Sequence, residues 1–256
     1  MQFQERTIRE IAVEAPMTAK VFEEYKIDYC CGGNVNFLDA CRTVGADPMT
    51  VLGKLDAVTS QRATSPDVPE KFSMTELADY IVDTHHVYTR EAIARLVPLA
   101  DKVARKHGAA HPELLDVKDN FDRLADELLP HMRKEEMVLF PFIKELDAAA
   151  THGRTANTPP FGTVQNPVRM MMFEHDAAGD ILRRIRELTS DFTLPQGACP
   201  SYGALYAGLE EIELDLHRHI HLENNVLFPK SIETEAAHFD KLVAGNQGQC
   251  CSHHSA

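Results

Sequence analysis

One pattern of metal-binding residue types occurs twice in this chain of 256 residues. A histidine is followed four residues later by a glutamate and nine residues later by Phe-Pro, and the two copies begin at His131 and His219. Each copy has a further histidine upstream, since His86 lies 45 residues before His131 and His175 lies 44 residues before His219. Two imidazoles and one carboxylate from each half suit non-heme Fe(II) with open coordination positions. The repeat therefore predicts a metal centre built by two similar halves.

The glutamates of the two copies, Glu135 and Glu223, lie on the same helix face as their histidines, because residues four apart on an α-helix are neighbours. Steps of 100° per residue place His131 and Glu135 within an apolar stripe of one helix. The other members of that stripe are Phe121, Leu124, Leu128, Val138, Leu139 and Phe142. Burial of an unpaired polar group costs on the order of 1 to 3 kcal/mol or more. We predict that bound metal satisfies these inward groups.

The expected centre holds two iron ions bridged by the two glutamates. With four imidazoles and a shared oxo or hydroxo group, this ligand set leaves about one position open for a small ligand at each octahedral ion. Bridging of this kind would hold the ions roughly 3.5 to 4 Å apart. Zinc and manganese stay open as alternatives, because imidazole and carboxylate accept several divalent ions.

Either His85 or His86 could be the metal ligand from the first helical segment. Helical periodicity counted from Leu77 favours His85, whereas the spacing match with the second half favours His86, which is the residue chosen here.

His217 and His221 lie about 200° around the helix from His219, at 100° per residue, and are predicted to be solvated. Four carboxylates near the ligands are candidates to orient the imidazoles. They are Asp83, Glu127, Glu174 and Asp215.

Four helical segments are predicted to position the ligands, and this number is typical of a four-helix bundle. They span about 74–106, 113–147, 165–189 and 201–239. A loop at about 149–164 is long enough to join two hairpins. We predict an all-α fold with four parts: a small helical domain at 1–57, a linker at 58–72, a four-helix bundle at 73–240 and a flexible Cys/His tail at 241–256.

The bulk composition excludes several classes of function. A formal net charge of -13 disfavours binding to nucleic acid or anionic membranes, and 44% hydrophobic residues are enough for a substantial core. The chain has no apolar signal region at its start and no run of 18 apolar residues, so a cytoplasmic location is expected. Two of the cysteine pairs are vicinal, which is unlike a secreted disulfide framework, and reduced thiols are expected.

A second motif, Tyr29-Cys30-Cys31-Gly32-Gly33, places two adjacent thiols before a turn. The arrangement suggests an exposed, reactive pair with a redox or ligand-transfer role, although cysteines are often simply buried. At the other end, Cys250-Cys251 and His253-His254 form a short tail that is either a metal chelator or a disordered terminus.

These motifs resemble the iron-sulfur cluster repair di-iron proteins. The resemblance covers nearly the whole chain and implies that the bundle at 73–240 is a hemerythrin-like di-iron four-helix bundle. It rests on Tyr29-Cys30-Cys31-Gly32-Gly33, on the run His131 to Glu136, on Glu174-His175-Asp176, and on His219 to Glu223 with the following Asn-Asn-Val-Leu-Phe-Pro. Val87 differs from the aspartate that often follows the family's first-helix histidine. The resemblance implies iron ligation by His86, His131, Glu135, His175, His219 and Glu223, with bridging glutamates and a thiol transfer role for Cys30 and Cys31.

The function that the resemblance implies is the repair or protection of iron-sulfur clusters after nitrosative or oxidative stress, by iron donation or nitric oxide handling. Partners would be damaged or apo iron-sulfur proteins together with NO or O2, and a homodimer through the N-terminal units is implied. A di-iron reductase of nitric oxide or peroxide is one alternative. A hemerythrin-like sensor or carrier of O2 or NO is another, disfavoured because neither half has an evident third core-facing histidine.

Overall fold

In the computed structural model, the described residues are 3–60, 69–154 and 156–248. Their regular elements are helices, and the only bridge between extended residues in these ranges joins Thr7 to Asn36. The predicted all-α class is therefore confirmed. Most of the expected linker and the thiol–imidazole pairs of the tail lie outside the described residues.

The N-terminal unit contains four helices. They are α1 (Ile8–Glu14), α2 (Ala19–Tyr25), α3 (Phe37–Thr43) and α4 (Pro48–Ser60). Thr7 caps α1 through a capping box with Glu10. Buried side chains such as Phe22, Phe37 and Leu55 form a separate core for this unit. Helix α4 continues three residues past the predicted domain boundary at residue 57, and the boundary itself stays a prediction.

Four long bundle helices follow, and three of them are interrupted by a π-helical turn. The first contains α5 (Met74–Tyr80), a turn at Ile81–His86 and α6 (Val87–His107). The second contains α7 (Glu113–Lys134), a turn at Glu135–Leu139 and α8 (Phe140–His152). The third is α9 (Gln165–Leu188), and the fourth contains α10 (Pro200–Leu222), a turn at Glu223–Leu227 and α11 (Phe228–Gly248). Each helix starts within one residue of its predicted start, while the second and fourth end later than predicted.

The π-helical turns rotate the residues that follow them, because each holds one residue more than an α-helical turn. Val138 is consequently 47% exposed, although regular periodicity placed it in the buried stripe. That part of the prediction is wrong. The turn in the first helix brings both His85 and His86 inside, so periodicity counted from Leu77 cannot separate them.

A polar layer lies between two apolar cores of the bundle. One core comes from α6, α7, α9 and α10, with residues such as Phe121 and Leu216 at its centre. The other comes from α5, α8, α11 and the start of α9, with Phe140 and Phe228 among its members. The π-helical turns connect the two cores along three of the four bundle helices, and the uninterrupted α9 connects them along the other. Side chains in the layer between them are therefore held in a low-dielectric interior.

The described residues contain no helix that is long and apolar enough to span a lipid bilayer. The cytoplasmic location stays a prediction.

Phe121→Ala is expected to lower the free energy of unfolding by about 3 to 5 kcal/mol, because Phe121 is fully buried and its loss leaves a cavity. Urea denaturation followed by circular dichroism measures the change. Met137→Ala is the control, since Met137 is 77% exposed and its truncation is expected to cost within about 0.5 kcal/mol. Equal effects of the two substitutions would contradict the assignment of Phe121 to the core.

Candidate metal centre

The structure brings together all six side chains that the repeat singled out, and none is more than 2% exposed. They are His86, His131, Glu135, His175, His219 and Glu223. They form two groups of four, and in each group one nitrogen or oxygen atom from every residue lies within 4.8 Å of the others. Glu135 and Glu223 belong to both groups. The two groups therefore define two adjacent positions that share their carboxylates.

The first position is framed by His86 and His219, whose Nε2 atoms are 3.2 Å apart. Glu223 Oε1 lies 3.0 Å from His219 Nε2, and Glu135 Oε2 lies 3.4 Å from His86 Nε2. The π-helical turns explain this convergence, because His86 ends one turn while Glu135 and Glu223 begin the other two.

The second position is framed by His131 and His175, whose Nε2 atoms are 3.0 Å apart. Glu223 Oε2 lies 3.1 Å from His175 Nε2, and Glu135 Oε1 lies 3.4 Å from His131 Nε2. Each glutamate thus directs one oxygen to each position. This division is what a carboxylate bridge between two cations requires.

Three of the four rings are oriented by hydrogen bonds from their other nitrogen. The Nδ1 atom of His86 contacts Glu136 at 2.7 Å, and that of His175 contacts Asn224 at 2.8 Å. The Nδ1 atom of His131 contacts Glu174 at 2.7 Å. Carboxylate and amide oxygens accept hydrogen from Nδ1, which leaves a lone pair on Nε2 directed inward. The remaining ring, His219, has a buried Nδ1 with no hydrogen-bond partner in the part of the chain that the structure describes.

The inward atoms fit cations and would repel one another without positive charge between them. Two nitrogens bound at right angles to one ion, at roughly 2.1 Å each, would lie roughly 3.0 Å apart. The Nε2 pairs have nearly this separation. Both oxygens of Glu135 and Oε2 of Glu223 are buried without a hydrogen-bond partner among the described residues. Ligand type, spacing and unsatisfied oxygens all agree with a non-heme iron centre.

The local electrostatics favour positive charge strongly. Burial lowers the pKa of His131, but the carboxylates of Glu135 and Glu174 more than offset this and raise it to about 10. Burial and Glu223 raise the pKa of Glu135, yet the neighbouring imidazoles hold it down at about 2. The carboxylates therefore stay ionised inside the bundle and are available to cations.

The residues that orient the imidazoles were only partly anticipated. Glu174 contacts a ligand histidine, whereas Asp215 contacts His85 at 2.9 Å, Asp83 is exposed and Glu127 pairs with Arg123. Sequence reasoning missed Glu136 and Asn224. A signal for both existed, since each directly follows one of the two shared glutamates.

Two histidines expected elsewhere are in the interior. His85 is 3% exposed and stacks on His219 with ring centroids 5.6 Å apart, and His221 is fully buried. The expectation of a solvated His221 is wrong, because the N-terminal unit packs on this side of α10. His221 Nδ1 lies 3.4 Å from the Tyr29 carbonyl, and the half-buried His217 contacts Glu23 at 3.2 Å. The expectation of no further core-facing histidine is also wrong.

The vicinal thiols lie against the bundle beside the second position. Cys31 Sγ is 3.9 Å from the carbonyl oxygen of His175 and 3.8 Å from Cys30 Sγ. Cys30 is only 6% exposed, so the expected exposure holds only for the half-buried Cys31. Its hydrogen bond with Cys31, together with burial, raises the pKa of Cys30. A cavity of about 430 Å³ opens onto both thiols between the N-terminal unit, α9 and α10.

The fold and the centre define a helical bundle protein with a buried cation-binding site of histidines and glutamates. The family model of the hemerythrin HHE cation binding domain matches residues 77–231, and a model for a domain of unknown function, DUF542, matches residues 4–59. The chain belongs to the hemerythrin HHE cation-binding family, with the DUF542 domain at its N-terminal side.

Curated relatives extend this assignment over most of the chain. One is the iron-sulfur cluster repair protein YtfE from Yersinia pseudotuberculosis serotype IB (strain PB1/+), which is 32% identical over 235 residues, 92% of this chain and 100% of the relative. The protein of the same description from Yersinia pestis (strain Pestoides F) has the same identity and coverage. The family resemblance predicted from the sequence motifs is therefore confirmed.

Glu136→Ala is expected to weaken iron binding at the first position by about 10- to 100-fold, because the substitution removes the acceptor that orients His86. Anaerobic titration of the apo-protein with Fe(II) measures the affinity. Glu127→Ala is the control, since Glu127 pairs with Arg123 at the surface and touches no ligand in the described residues. If both variants bind iron equally tightly, Glu136 has no orienting role.

Proposed function

We propose that this protein binds two iron ions and repairs or protects iron-sulfur clusters damaged by nitrosative or oxidative stress. The observation that carries the proposal is the pair of adjacent positions that share Glu135 and Glu223. The identity to cluster repair proteins over their full length supports it. Bound iron would supply open coordination positions for a small ligand such as NO or O2, or would itself be the cargo delivered to a damaged cluster.

The protein's own residues hold and shield the ions in this proposal. Four imidazoles would bind through Nε2, and the two glutamates would each offer one oxygen to each position. The apolar cores on both sides exclude water from the layer. Cys30 and Cys31, beside His175, would pass iron between the centre and a damaged or apo iron-sulfur protein. Association into a homodimer stays a prediction.

Reduction of nitric oxide is a second candidate, and the close pair of metal positions favours it. Two NO molecules with two electrons and two protons would yield nitrous oxide and water. Gas analysis over many turnovers separates the candidates, because a donor or binder gives at most one stoichiometric burst. An O2 or NO sensor or carrier is less favoured: His85 and His221 are buried, but neither contributes an atom to the two ligand groups.

The decisive test is anaerobic recovery of a dehydratase whose cluster has been destroyed by nitric oxide. Iron-loaded wild type is expected to restore activity several-fold faster than buffer containing the same iron and reductant. The double variant Cys30→Ala/Cys31→Ala is expected to keep its iron and lose most of this rate. Recovery no faster than buffer with the wild type would reject cluster repair.

A further inference from the structure

Two consecutive asparagines connect the fourth bundle helix to the segment at residues 29–33, which carries Cys30 and Cys31 and is called the thiol loop here. Asn224 and Asn225 directly follow Glu223 within the π-helical turn and are 5% and 9% exposed. Buried amides carry both donors and acceptors, and these are normally satisfied by specific partners. Their partners therefore show what the turn holds in place.

Asn224 contacts a predicted metal ligand with one end of its amide and the thiol loop with the other. Its Oδ1 accepts a hydrogen bond from His175 Nδ1 at 2.8 Å. Its Nδ2 donates to the Cys30 carbonyl at 3.5 Å. The orientation of the acceptor that fixes His175 thus depends on a backbone atom of the loop.

The loop is held against the same turn by further contacts. Asn225 Nδ2 donates to the Tyr29 carbonyl at 2.9 Å and to the Cys30 carbonyl at 3.4 Å. On the opposite side, Cys31 Sγ approaches α9 at Gly179, where an added β-carbon would lie 3.9 Å from the sulfur. Cys31 Sγ also donates to the His175 carbonyl of α9 at 3.9 Å. A group attached to Cys31 replaces the hydrogen of this contact and enters the cavity beside α9, so the loop loses its hydrogen bond to α9.

The carboxylates that accept hydrogen bonds from Nδ1 of His86 and His131 do not depend on the thiol loop. Glu136 pairs with Arg90, and Glu174 pairs with Lys134, so both are fixed by ion pairs within the bundle. Neither contacts the thiol loop in the described part of the chain. A displacement of the loop would consequently act on His175, a ligand of the second position, and leave the rings of the first position in place.

We propose that Asn224 is a positioning residue that couples the thiol loop to the second metal position alone. This inference rests on the proposed di-iron function. Modification of Cys31 displaces the Cys30 carbonyl, the amide of Asn224 loses its donor contact and turns, and His175 loses the acceptor for its Nδ1 hydrogen. An imidazole without this acceptor is a weaker ligand. The ion in the second position is then the one released.

The test uses the full chain loaded with two Fe(II) ions, in a background with Cys30→Ser, Cys199→Ser, Cys250→Ser and Cys251→Ser, so that no neighbouring thiol can exchange with the modified Cys31. Methyl methanethiosulfonate modifies Cys31: the thiolate sulfur bonds to the methylthio sulfur, the S–S bond of the reagent breaks and methanesulfinate leaves. Iron removal by a chelator is then followed in time. One of two kinetic phases is expected to become about tenfold faster or more, with the other unchanged and with reversal by dithiothreitol.

Asn224→Asp separates the two contacts of the amide. An aspartate still accepts hydrogen from His175 but cannot donate to the Cys30 carbonyl, so the reagent is expected to leave both phases unchanged. Glu136→Gln is the matched control. It is expected to change the rate of iron removal from the first position, while iron removal from the second position still becomes faster with the reagent. Cys31→Ser is expected to abolish the response. An equal response of N224D and wild type overturns the coupling.

Mössbauer spectra of the wild type give an independent readout. The reagent is expected to change one of two iron signals, and a change in both or in neither overturns the coupling even if N224D fails to hold iron. Binding of only one iron ion by the wild type overturns the proposed function and this inference together. If the wild type binds two ions but neither kinetic phase of iron removal changes with the reagent, the coupling is overturned and the proposed function is not.

Discussion

Glu223→Ala is expected to remove iron from both positions, whereas His175→Ala is expected to remove it from one. Glu223 directs Oε1 to the first position and Oε2 to the second, so its loss takes a ligand and a compensating negative charge from each ion. His175 contributes a single nitrogen to the second position only. Metal analysis after anaerobic reconstitution and desalting gives the iron content per chain.

Glu210→Ala is the control for this experiment, because Glu210 is an exposed carboxylate of α10 and should retain the wild-type iron content. A Glu223→Ala variant that still binds one ion tightly would show that the carboxylate serves a single metal. The bridging arrangement would then be incorrect, even though a metal centre would remain.

Removal of iron is expected to lower the free energy of unfolding by about 8 kcal/mol when free iron is about 1,000-fold above both dissociation constants, since each site then contributes about 4 kcal/mol. For a chain of this size the melting temperature should fall by roughly 15 to 30 °C. The physical reason is that six inward polar groups, two of them carboxylates, remain buried without a counterion.

Anaerobic calorimetry of the iron-loaded and chelator-treated protein measures this difference. The His175→Ala variant provides the internal comparison, because loss of one ion should give about half of the iron-dependent stabilisation. Equal melting temperatures with and without iron would mean that the buried polar layer is already satisfied by the protein, and the assignment of these residues as metal ligands would fail.

Local patterns in the sequence were sufficient for the helices and for the metal-binding residues. Apolar periodicity depends on neighbouring residues, so the starts of the bundle helices were predicted within one residue. The ligand candidates followed from duplication, because the same His-x-x-x-Glu spacing before Phe-Pro occurs at His131 and His219.

Departures from regular helix geometry could not be predicted in the same way. A π-helical turn at Glu135–Leu139 is favoured by what the side chains meet across the bundle, not by the propensities of its own residues. The turn moved Val138 to the surface, and the corresponding turn in the first helix buried both His85 and His86. Only His86 contributes an atom to the ligand groups, and this depends on the position of the facing helices.

The sequence by itself therefore determined the all-α class, the four bundle helices and five of the six residues that converge, whereas the choice of His86 over His85 needed the tertiary structure. The tertiary structure alone decided the burial of Cys30 and His221 and the partners of Asn224, because these depend on how the N-terminal unit packs on α9 and α10. Contacts between segments almost 200 residues apart leave no periodic trace in either segment. Helix periodicity is a local property, whereas the packing of one unit on another is set by the complementary shapes and hydrogen bonds of two distant surfaces.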